Sequence, residues 1–194
     1  MKQTGTASRA VFLLLGVVAS APFVRAQEES AKVEAYGGYY YARFNVNASA
    51  AGGAASETFN GNGGGGQVEY NVNRWLGVVA DLAGYGATST TNGALVGGAF
   101  TYLFGPRLNF RHGKLTPFAQ TLFGGILTSD GIGQSGSENS FAMTAGGGLD
   151  VTVSRHISVR PVQAEYFLTK IPDGLNNRQN NLRIGAGIVV RLGK

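Results

Sequence analysis

The 194-residue sequence contains no cysteine, one tryptophan and five prolines. Without cysteine, the chain has neither a disulfide framework nor a thiolate metal site. Long apolar runs are also missing after the N-terminal segment, where no stretch approaches the roughly 20 consecutive apolar residues that a membrane helix needs. These absences exclude a disulfide-stapled secreted domain and a helical membrane protein.

The first 26 residues are typical of a cleavable secretory signal peptide. A basic start precedes an apolar core at Val11–Ala19, and Val24-Arg25-Ala26 forms a small-x-small cleavage site. The alternative is a membrane anchor, but the apolar stretch is short for spanning a bilayer. We therefore predict a signal peptide over residues 1–26 and one domain over residues 27–194.

Charge and glycine content narrow the class of protein further. The net charge of +5 comes mostly from Lys2, Arg9 and Arg25 in the N-terminal segment, which leaves 13 basic and 11 acidic residues. That balance gives no reason to expect nucleic acid as a partner. The 31 glycines far exceed the roughly 7% of average usage, yet they lack the three-residue period of collagen.

Alternating hydrophobicity is the strongest pattern in the rest of the chain. Between Val96 and Phe110 one phase is rich in aromatic residues, and the opposite phase is small and polar. A period of two predicts a strand, and charges of both signs on the polar phase favour lipid outside and a crowded polar interior. A soluble barrel would invert this polarity. The pattern therefore predicts an all-β, eight-stranded, antiparallel up-and-down transmembrane barrel.

Eight such segments follow one another with short and long connections in turn. Short turns on one side and longer loops on the other are typical of outer-membrane barrels, with both termini in the periplasm. Long links are predicted at about 47–63, 88–93, 129–139 and 171–180, and aromatic girdles at Trp75, Phe110 and Tyr36 on one side and at Phe44, Tyr85, Phe141 and Phe167 on the other. The predicted strands span residues 33–46, 64–73, 75–87, 94–110, 114–128, 140–153, 157–170 and 181–193.

The inward phases carry charged residues in equal numbers of each sign. Eight strands enclose a lumen only wide enough for side chains, so these charges must pair with one another. A closed, ion-paired lumen is predicted, not an aqueous channel. Its predicted members are Arg43, Glu69, Asp81, Arg107, Asp150, Arg160, Glu165 and Arg183. We also expect a bulge in the seventh strand near Pro161, since Arg160 and Gln163 are an odd number of residues apart.

The layout resembles the small eight-stranded outer-membrane barrels typified by the OmpA transmembrane domain and OmpX. The resemblance covers the predicted mature chain and is carried by short motifs, including Tyr102–Arg107, Thr116–Ala119, Gly146–Asp150, Arg160–Gln163 and Asn181–Val190. It implies a bacterial outer membrane location, with outer-membrane lipids, periplasmic chaperones and the barrel-assembly machinery as partners. The peptidoglycan-binding domain of OmpA is not among the predicted segments.

Families of this kind end in a strand that the assembly machinery recognises, in which a glycine precedes alternating hydrophobic residues. Gly185, Ile188, Val190 and Leu192 match that spacing, although the usual terminal aromatic residue is missing from Leu192-Gly193-Lys194. The resemblance therefore implies an assembly signal at these four residues.

Catalytic and metal sites are not indicated. His112 and His156 lie at predicted periplasmic turns, across the membrane from the serines at 135, 137 and 140, so no nucleophile and base come within reach. No cofactor is predicted and no carboxylates stand at metal-ligand spacing. The predicted function is a non-enzymatic scaffold with a closed lumen that presents extracellular loops to an unknown ligand. The alternative is a narrow or gated pore for small solutes, and an outer-leaflet lipid-modifying enzyme is less favoured.

Overall fold

A computed structural model describes residues 31–50, 53–89, 95–129, 138–171 and 178–192. The predicted signal peptide lies outside these residues. The described chain forms eight strands: β1 Val33–Ala50, β2 Gly53–Asn71, β3 Leu76–Ser89, β4 Leu95–Asn109, β5 Leu115–Thr128, β6 Glu138–Thr152, β7 Ile157–Thr169 and β8 Gln179–Leu192.

The eight strands form one closed antiparallel barrel in chain order, as the alternation predicts. Closure occurs between the first and last strands, where Val33 pairs with Leu192 and Arg43 with Leu182. Closing the sheet removes its exposed edges, so every wall strand has two neighbours. The described residues include no helix long and apolar enough to cross a membrane.

Tight turns close one end of the barrel. In the β2–β3 turn the side-chain oxygen of Asn73 accepts hydrogen bonds from the backbone N–H groups of Trp75 and Leu76 at 2.9 and 2.8 Å. The β4–β5 turn contains Gly113 at φ +56°, a conformation that glycine adopts without strain. β1 begins and β8 ends at this same end, which the outer-membrane barrel architecture assigns to the periplasm.

The predicted long link at residues 47–63 is wrong. β1 and β2 instead continue as one uninterrupted hairpin ladder to the pair Ala50 and Gly53. The Gly, Ala, Ser and Asn composition suggested a loop. In the structure β1 and β2 stay paired residue by residue beyond the point where the neighbouring strands end. β8 pairs with β1 only as far as Arg43, and β3 pairs with β2 only from Phe59 onward, so the hairpin projects beyond the barrel.

Irregular pairing is confined to three places in the described wall. The predicted bulge near Pro161 is confirmed, because the β7–β8 register shifts between Arg160 and Gln163. The same region shifts register against β6 between Leu149 and Val151. A third shift lies between Ala87 and Thr88 of β3, near its extracellular end.

The predicted facing of β1 is inverted in the structure. Tyr36, Tyr40 and Phe44 point into the barrel and are at most 5% exposed, whereas Tyr39 and Arg43 lie on the outer face. Both phases of this strand are rich in aromatic residues, so alternation carries little information there. Arg43 is therefore not a lumen residue. Tyr85 and Phe167 are buried as well, so the predicted girdle positions of Tyr36, Phe44, Tyr85 and Phe167 are wrong.

The outer face carries a broad apolar surface on all eight strands. Val78, Phe104 and Ile188 are each more than half exposed, as a lipid-facing wall requires. Trp75 and Phe110 stand on this face at the periplasmic end and Phe141 toward the other end, where the sequence placed them.

Candidate functional site: the charged lumen

Three arginines fill the middle of the barrel, and all three are at most 2% exposed. Arg107 on β4 donates through Nη1 to Glu69 Oε2 on β2 at 2.9 Å. Arg160 on β7 binds Asp150 on β6 with both nitrogens of its fork, Nε at 2.6 Å and Nη2 at 2.9 Å. Bidentate pairing of this kind is the strongest geometry available to a guanidinium and a carboxylate.

Arg183 on β8 joins two carboxylates at once. Its Nε donates to Glu165 Oε2 on β7 at 2.6 Å, and its Nη1 and Nη2 donate to Asp81 on β3 at 2.9 and 3.1 Å. All three side chains are completely shielded from solvent. Such charges are tolerated in a dry interior because each one faces its opposite.

Three glutamines connect these ion pairs into one network. Gln67 accepts from both Arg107 and Arg160 while its amide donates to Asp81 at 2.7 Å. Gln120 accepts from Arg107 at 2.7 Å and donates to Glu165 at 2.6 Å. Gln163 accepts from Arg160 at 2.8 Å and donates to Glu165 at 2.9 Å. In each case the carbonyl faces a cation and the amide faces an anion.

Aromatic rings complete the lining around the guanidinium groups. The Phe118 ring contacts both Arg107 and Arg160, whose guanidinium carbons each lie 4.3 Å from its centroid. Arg183 lies 4.7 Å from the centroid of Tyr40. A desolvated cation over a ring face gains about 2 kcal/mol or more. Phe118 therefore stabilises two positive charges that would otherwise repel each other.

Inward glycines create the gaps through which these side chains meet. A Cβ on Gly77 of β3 would lie 2.1 Å from Glu69 Oε1, on the path between β2 and Arg107 of β4. Gly146 of β6 stands directly between Gln120 and Glu165 in the pairing register. The high glycine content thus has a packing function, since side chains from strands two apart reach one another across a glycine.

Sequence reasoning missed a further cluster at the periplasmic mouth. Glu34 accepts from Arg111 at 2.9 Å and lies 4.0 Å from Arg191, and all three are largely buried. Arg111 belongs to the β4–β5 turn, and its side chain folds inward over the mouth. The even spacing of Glu34 from Tyr36 and Tyr40 was the available signal for the correct phase of β1.

Toward its extracellular end the lumen contains a layer of packed rings and aliphatic side chains, which the polar-inside pattern did not predict. Beside this layer lies a buried polar group formed by Thr169, Gln179 and Asn181. Phe44 packs edge-on against Tyr85 and Phe167, with ring centroids 6.0 and 5.8 Å apart. Leu103, Leu122, Ile126 and Ile171 surround these rings and are fully buried. The described lumen therefore contains two layers of packed side chains: ion pairs on the periplasmic side and aromatic rings on the extracellular side.

A belt of tyrosine–asparagine pairs marks the extracellular side of the outer face. In each pair the tyrosine hydroxyl donates to an asparagine that lies nearer the extracellular end of the barrel. Tyrosine suits the membrane interface because its ring is apolar and its hydroxyl is not. The pairs are Tyr39 with Asn62, Tyr41 with Asn60, Tyr102 with Asn139, and Tyr166 with Asn180.

The chemistry open to these groups is pairing and packing. Each lumen carboxylate is engaged by an arginine, so none of them is available as an acid or base. His112 and His156 are exposed at periplasmic turns, remote from the lumen network. Among the described residues, no three histidine, aspartate or glutamate side chains cluster in a way that could hold a metal ion.

The structure thus places seven of the eight predicted lumen residues inside the barrel, and only Arg43 outside. Of the proposed assembly residues, Gly185 faces inward, and Ile188, Val190 and Leu192 face the lipid. Their role in assembly stays a prediction.

Comparison with known proteins identifies the family. No curated protein sequence matches the chain. Three similar solved structures each cover 84–85% of this chain. OprG of Pseudomonas aeruginosa has a TM-score of 0.58 at 11% identity, with 97% of its chain covered, and the N-terminal β-barrel domain of Pseudomonas aeruginosa OprF has a TM-score of 0.51 at 10% identity, with 98% covered. Neisserial surface protein A has a TM-score of 0.50 at 15% identity, with 100% of its chain covered. The family model for the outer membrane protein beta-barrel domain matches residues 10–188. The chain belongs to this family and is a bacterial outer-membrane protein.

Proposed function

We propose that this protein is a non-enzymatic outer-membrane scaffold whose lumen is closed and whose extracellular segments make contacts at the cell surface. The observation that carries the proposal is the continuous lumen network, in which Arg107, Arg160 and Arg183 are each held by a carboxylate and by further polar or aromatic groups. A solute path would have to break several of these contacts together, because the glutamines join them.

A second barrier supports the same conclusion. Above the ion pairs, the rings of Phe44, Tyr85 and Phe167 pack edge-on against one another and place apolar surface in the lumen. Opening the described lumen would require both layers to rearrange.

The projecting β1–β2 hairpin supports the surface role. Its backbone extends past the last wall pairs at Arg43 and Phe59, and its small polar composition suits adaptable contact. Binding residues often lie on connecting segments that a rigid scaffold holds in position.

The alternative function is a narrow or gated pore, and conductance separates the two. The full-length protein is inserted in planar bilayers and in liposomes, next to a known porin as a positive control. The closed scaffold predicts no steady conductance and no swelling in small sugars. A steady open level from the unmodified protein would establish the pore instead.

Variants locate the barrier if the unmodified protein is closed. Arg107→Ala or Arg183→Ala alone should give at most brief openings, because the aromatic layer persists. Adding Phe44→Ala and Phe167→Ala should produce a steady leak. The third function, a lipid-modifying enzyme, predicts changed lipid A masses in cells that express the protein, and we expect unchanged masses.

A further inference from the structure

Charge is divided unequally between the inside of this barrel and its periplasmic rim. Every acidic residue whose side chain is described is buried in the barrel and paired there with arginine: Glu34, Glu69, Asp81, Asp150 and Glu165. In the described part of the chain, the charged side chains exposed at the periplasmic end are all basic: Lys32, Arg74, Lys114 and Arg155. Turns that are polar only because they face water would accept acids equally well, so this bias of sign indicates an anionic partner.

Three of these cations stand on the three successive turns of the rim. Arg74 belongs to the β2–β3 turn, Lys114 to the β4–β5 turn and Arg155 to the β6–β7 turn. None of the three has a carboxylate within ion-pair distance among the residues that the structure describes. Two strands separate one turn from the next, so neighbouring cations are roughly 10 Å or more apart along the rim. Each cation is therefore placed to meet an anion of its own.

Hydrogen bonds from one turn to the next hold the rim in place. The Nε of Arg111 in the β4–β5 turn donates to the carbonyl oxygen of Arg74 at 3.2 Å. The backbone N–H of Thr152, at the end of β6, donates to the carbonyl oxygen of Lys114 at 2.8 Å. The backbone that carries these cations is thus already ordered, and a partner does not have to order it on binding.

Each of the three cations is followed, one or two residues later, by an apolar residue of the lipid-facing wall. These apolar residues are about half exposed and are Trp75, Leu115 and Ile157. The apolar band therefore ends where the cations begin, which is the height of the lipid headgroups in an outer-membrane barrel. A long cationic side chain at this height keeps its stem on the apolar surface and its charge among the headgroups.

We propose that Arg74, Lys114 and Arg155 bind anionic phospholipids of the periplasmic leaflet, one headgroup to each cation. The negative phosphodiester meets the guanidinium or ammonium group, and the acyl chains lie against Trp75 and the apolar wall beside it. A soluble anionic partner fits less well, because the cations are spread around the edge of the lipid-facing wall and are not gathered in one patch. This lipid contact does not depend on whether the lumen conducts or on what the β1–β2 hairpin contacts.

Trp75 is a local probe of this rim, because it is the only tryptophan in the sequence and follows Arg74 directly. The full-length protein is refolded into phosphatidylcholine vesicles that contain increasing amounts of a phospholipid with brominated acyl chains, which quench tryptophan fluorescence on contact. Quenching by brominated phosphatidylglycerol is compared with quenching by brominated phosphatidylcholine. One cation near an anionic headgroup contributes about five-fold in affinity, so phosphatidylglycerol should be preferred about five-fold at low salt. The preference should shrink at high ionic strength.

Variants assign the preference to the rim. R74Q/K114Q/R155Q should be quenched equally by the two lipids, whereas the control R43Q/K170Q, which removes exposed cations from the extracellular end, should keep the preference. Heat-modifiability on gels checks folding. If the triple variant fails to fold, Arg74→Gln alone should lose most of the preference, since Arg74 is next to the probe. Equal quenching of the unmodified protein would overturn the proposal in favour of a soluble anionic partner, and a preference that survives in R74Q/K114Q/R155Q would also overturn it.

Discussion

Arg183 and Asp81 form a two-pronged ion pair across the lumen, although 102 residues separate them and their strands are not neighbours. By the shorter way around the closed wall, β1 and β2 lie between β8 and β3. The pair therefore ties opposite parts of the barrel together, which backbone pairing cannot do. Since Glu165 shares the same guanidinium, one side chain balances charges from two strands.

Replacing Arg183 with methionine should destabilise the barrel by about 3–5 kcal/mol, since Asp81 and Glu165 would stay buried without their partner. Methionine keeps the unbranched apolar stem of arginine as far as Nε and removes the guanidinium, so the loss would come mainly from the missing charge and its hydrogen bonds. Urea unfolding of the protein in lipid vesicles, followed by the mobility shift on gels, measures the effect.

The matched control for that variant is Arg155→Met, which removes an exposed arginine from the β6–β7 turn. Surface substitutions of this kind stay within about 0.5 kcal/mol. If both variants unfolded at the same urea concentration, the lumen network would not be the source of stability that its burial implies.

Phe118 offers a test of the ring–cation contacts. Phe118→Leu retains an apolar side chain but removes the ring that contacts both Arg107 and Arg160. We expect a loss of about 2–4 kcal/mol in the free energy of unfolding, from two desolvated cation–ring contacts and some lost volume.

Phe123→Leu is the comparison, because Phe123 lies on the same strand and faces lipid with 46% exposure. Removing that ring should change the free energy of unfolding by less than 1 kcal/mol. Equal effects at the two positions would show that Phe118 contributes bulk alone.

The inward face of a strand could be predicted from sequence where its two alternating sets of residues differ in chemistry. In β1 they do not differ enough, and the predicted inward face was wrong. In β3, apolar Val78 is predicted to face lipid and charged Asp81 to face the lumen, and the structure places both residues on those faces. In β1 both phases carry tyrosine, and Arg43 suggested the wrong one. A long cation can stand on the outer face at the interface, so it is a weaker indicator of the lumen than a short, buried acid such as Glu34.

The partners in the lumen could not be read from sequence at all. The pairing of Arg183 with Asp81 depends on barrel diameter and shear, which set which strands face each other. The bridging role of the glutamines could not be predicted for a related reason. A glutamine bridges an ion-pair network only when a cation lies near its carbonyl and an anion near its amide nitrogen. The aromatic layer around Phe44 was missed because a rule of polar interiors does not anticipate packed rings inside the barrel.

Gly146 tests the idea that glycine leaves room for contacts between strands two apart. In Gly146→Ala the new Cβ would lie 2.2 Å from the Ala164 carbonyl oxygen and 2.6 Å from Glu165 Cα. Backbone atoms cannot move aside cheaply, so the barrel should lose about 1–3 kcal/mol. Thermal unfolding in detergent gives the comparison with Gly84→Ala, whose Cβ would meet nothing within 4 Å and which should unfold like the unmodified protein.

Shortening the β1–β2 hairpin tests whether barrel stability and contact at the cell surface depend on different parts of the protein. We suggest replacing residues 48–55 with Asn-Gly, which favours a two-residue hairpin turn and joins the paired Asn47 and Ser56. The wall pairs at Arg43 with Leu182 and at Phe59 with Ser89 lie outside the deletion. The shortened protein should therefore keep its gel shift and its urea midpoint.

The same variant should lose contact at the cell surface if the hairpin is where recognition occurs. Cells that express the full-length and the shortened protein at equal surface levels are compared for adhesion to immobilised host or bacterial surface material, with non-expressing cells as the baseline. Adhesion that depends on the full-length protein and survives the deletion would move recognition to the other extracellular connections. A shortened protein that fails to fold would mean that the projecting ladder stabilises the barrel, since pairing of β1 with β2 would then have to begin beyond the wall.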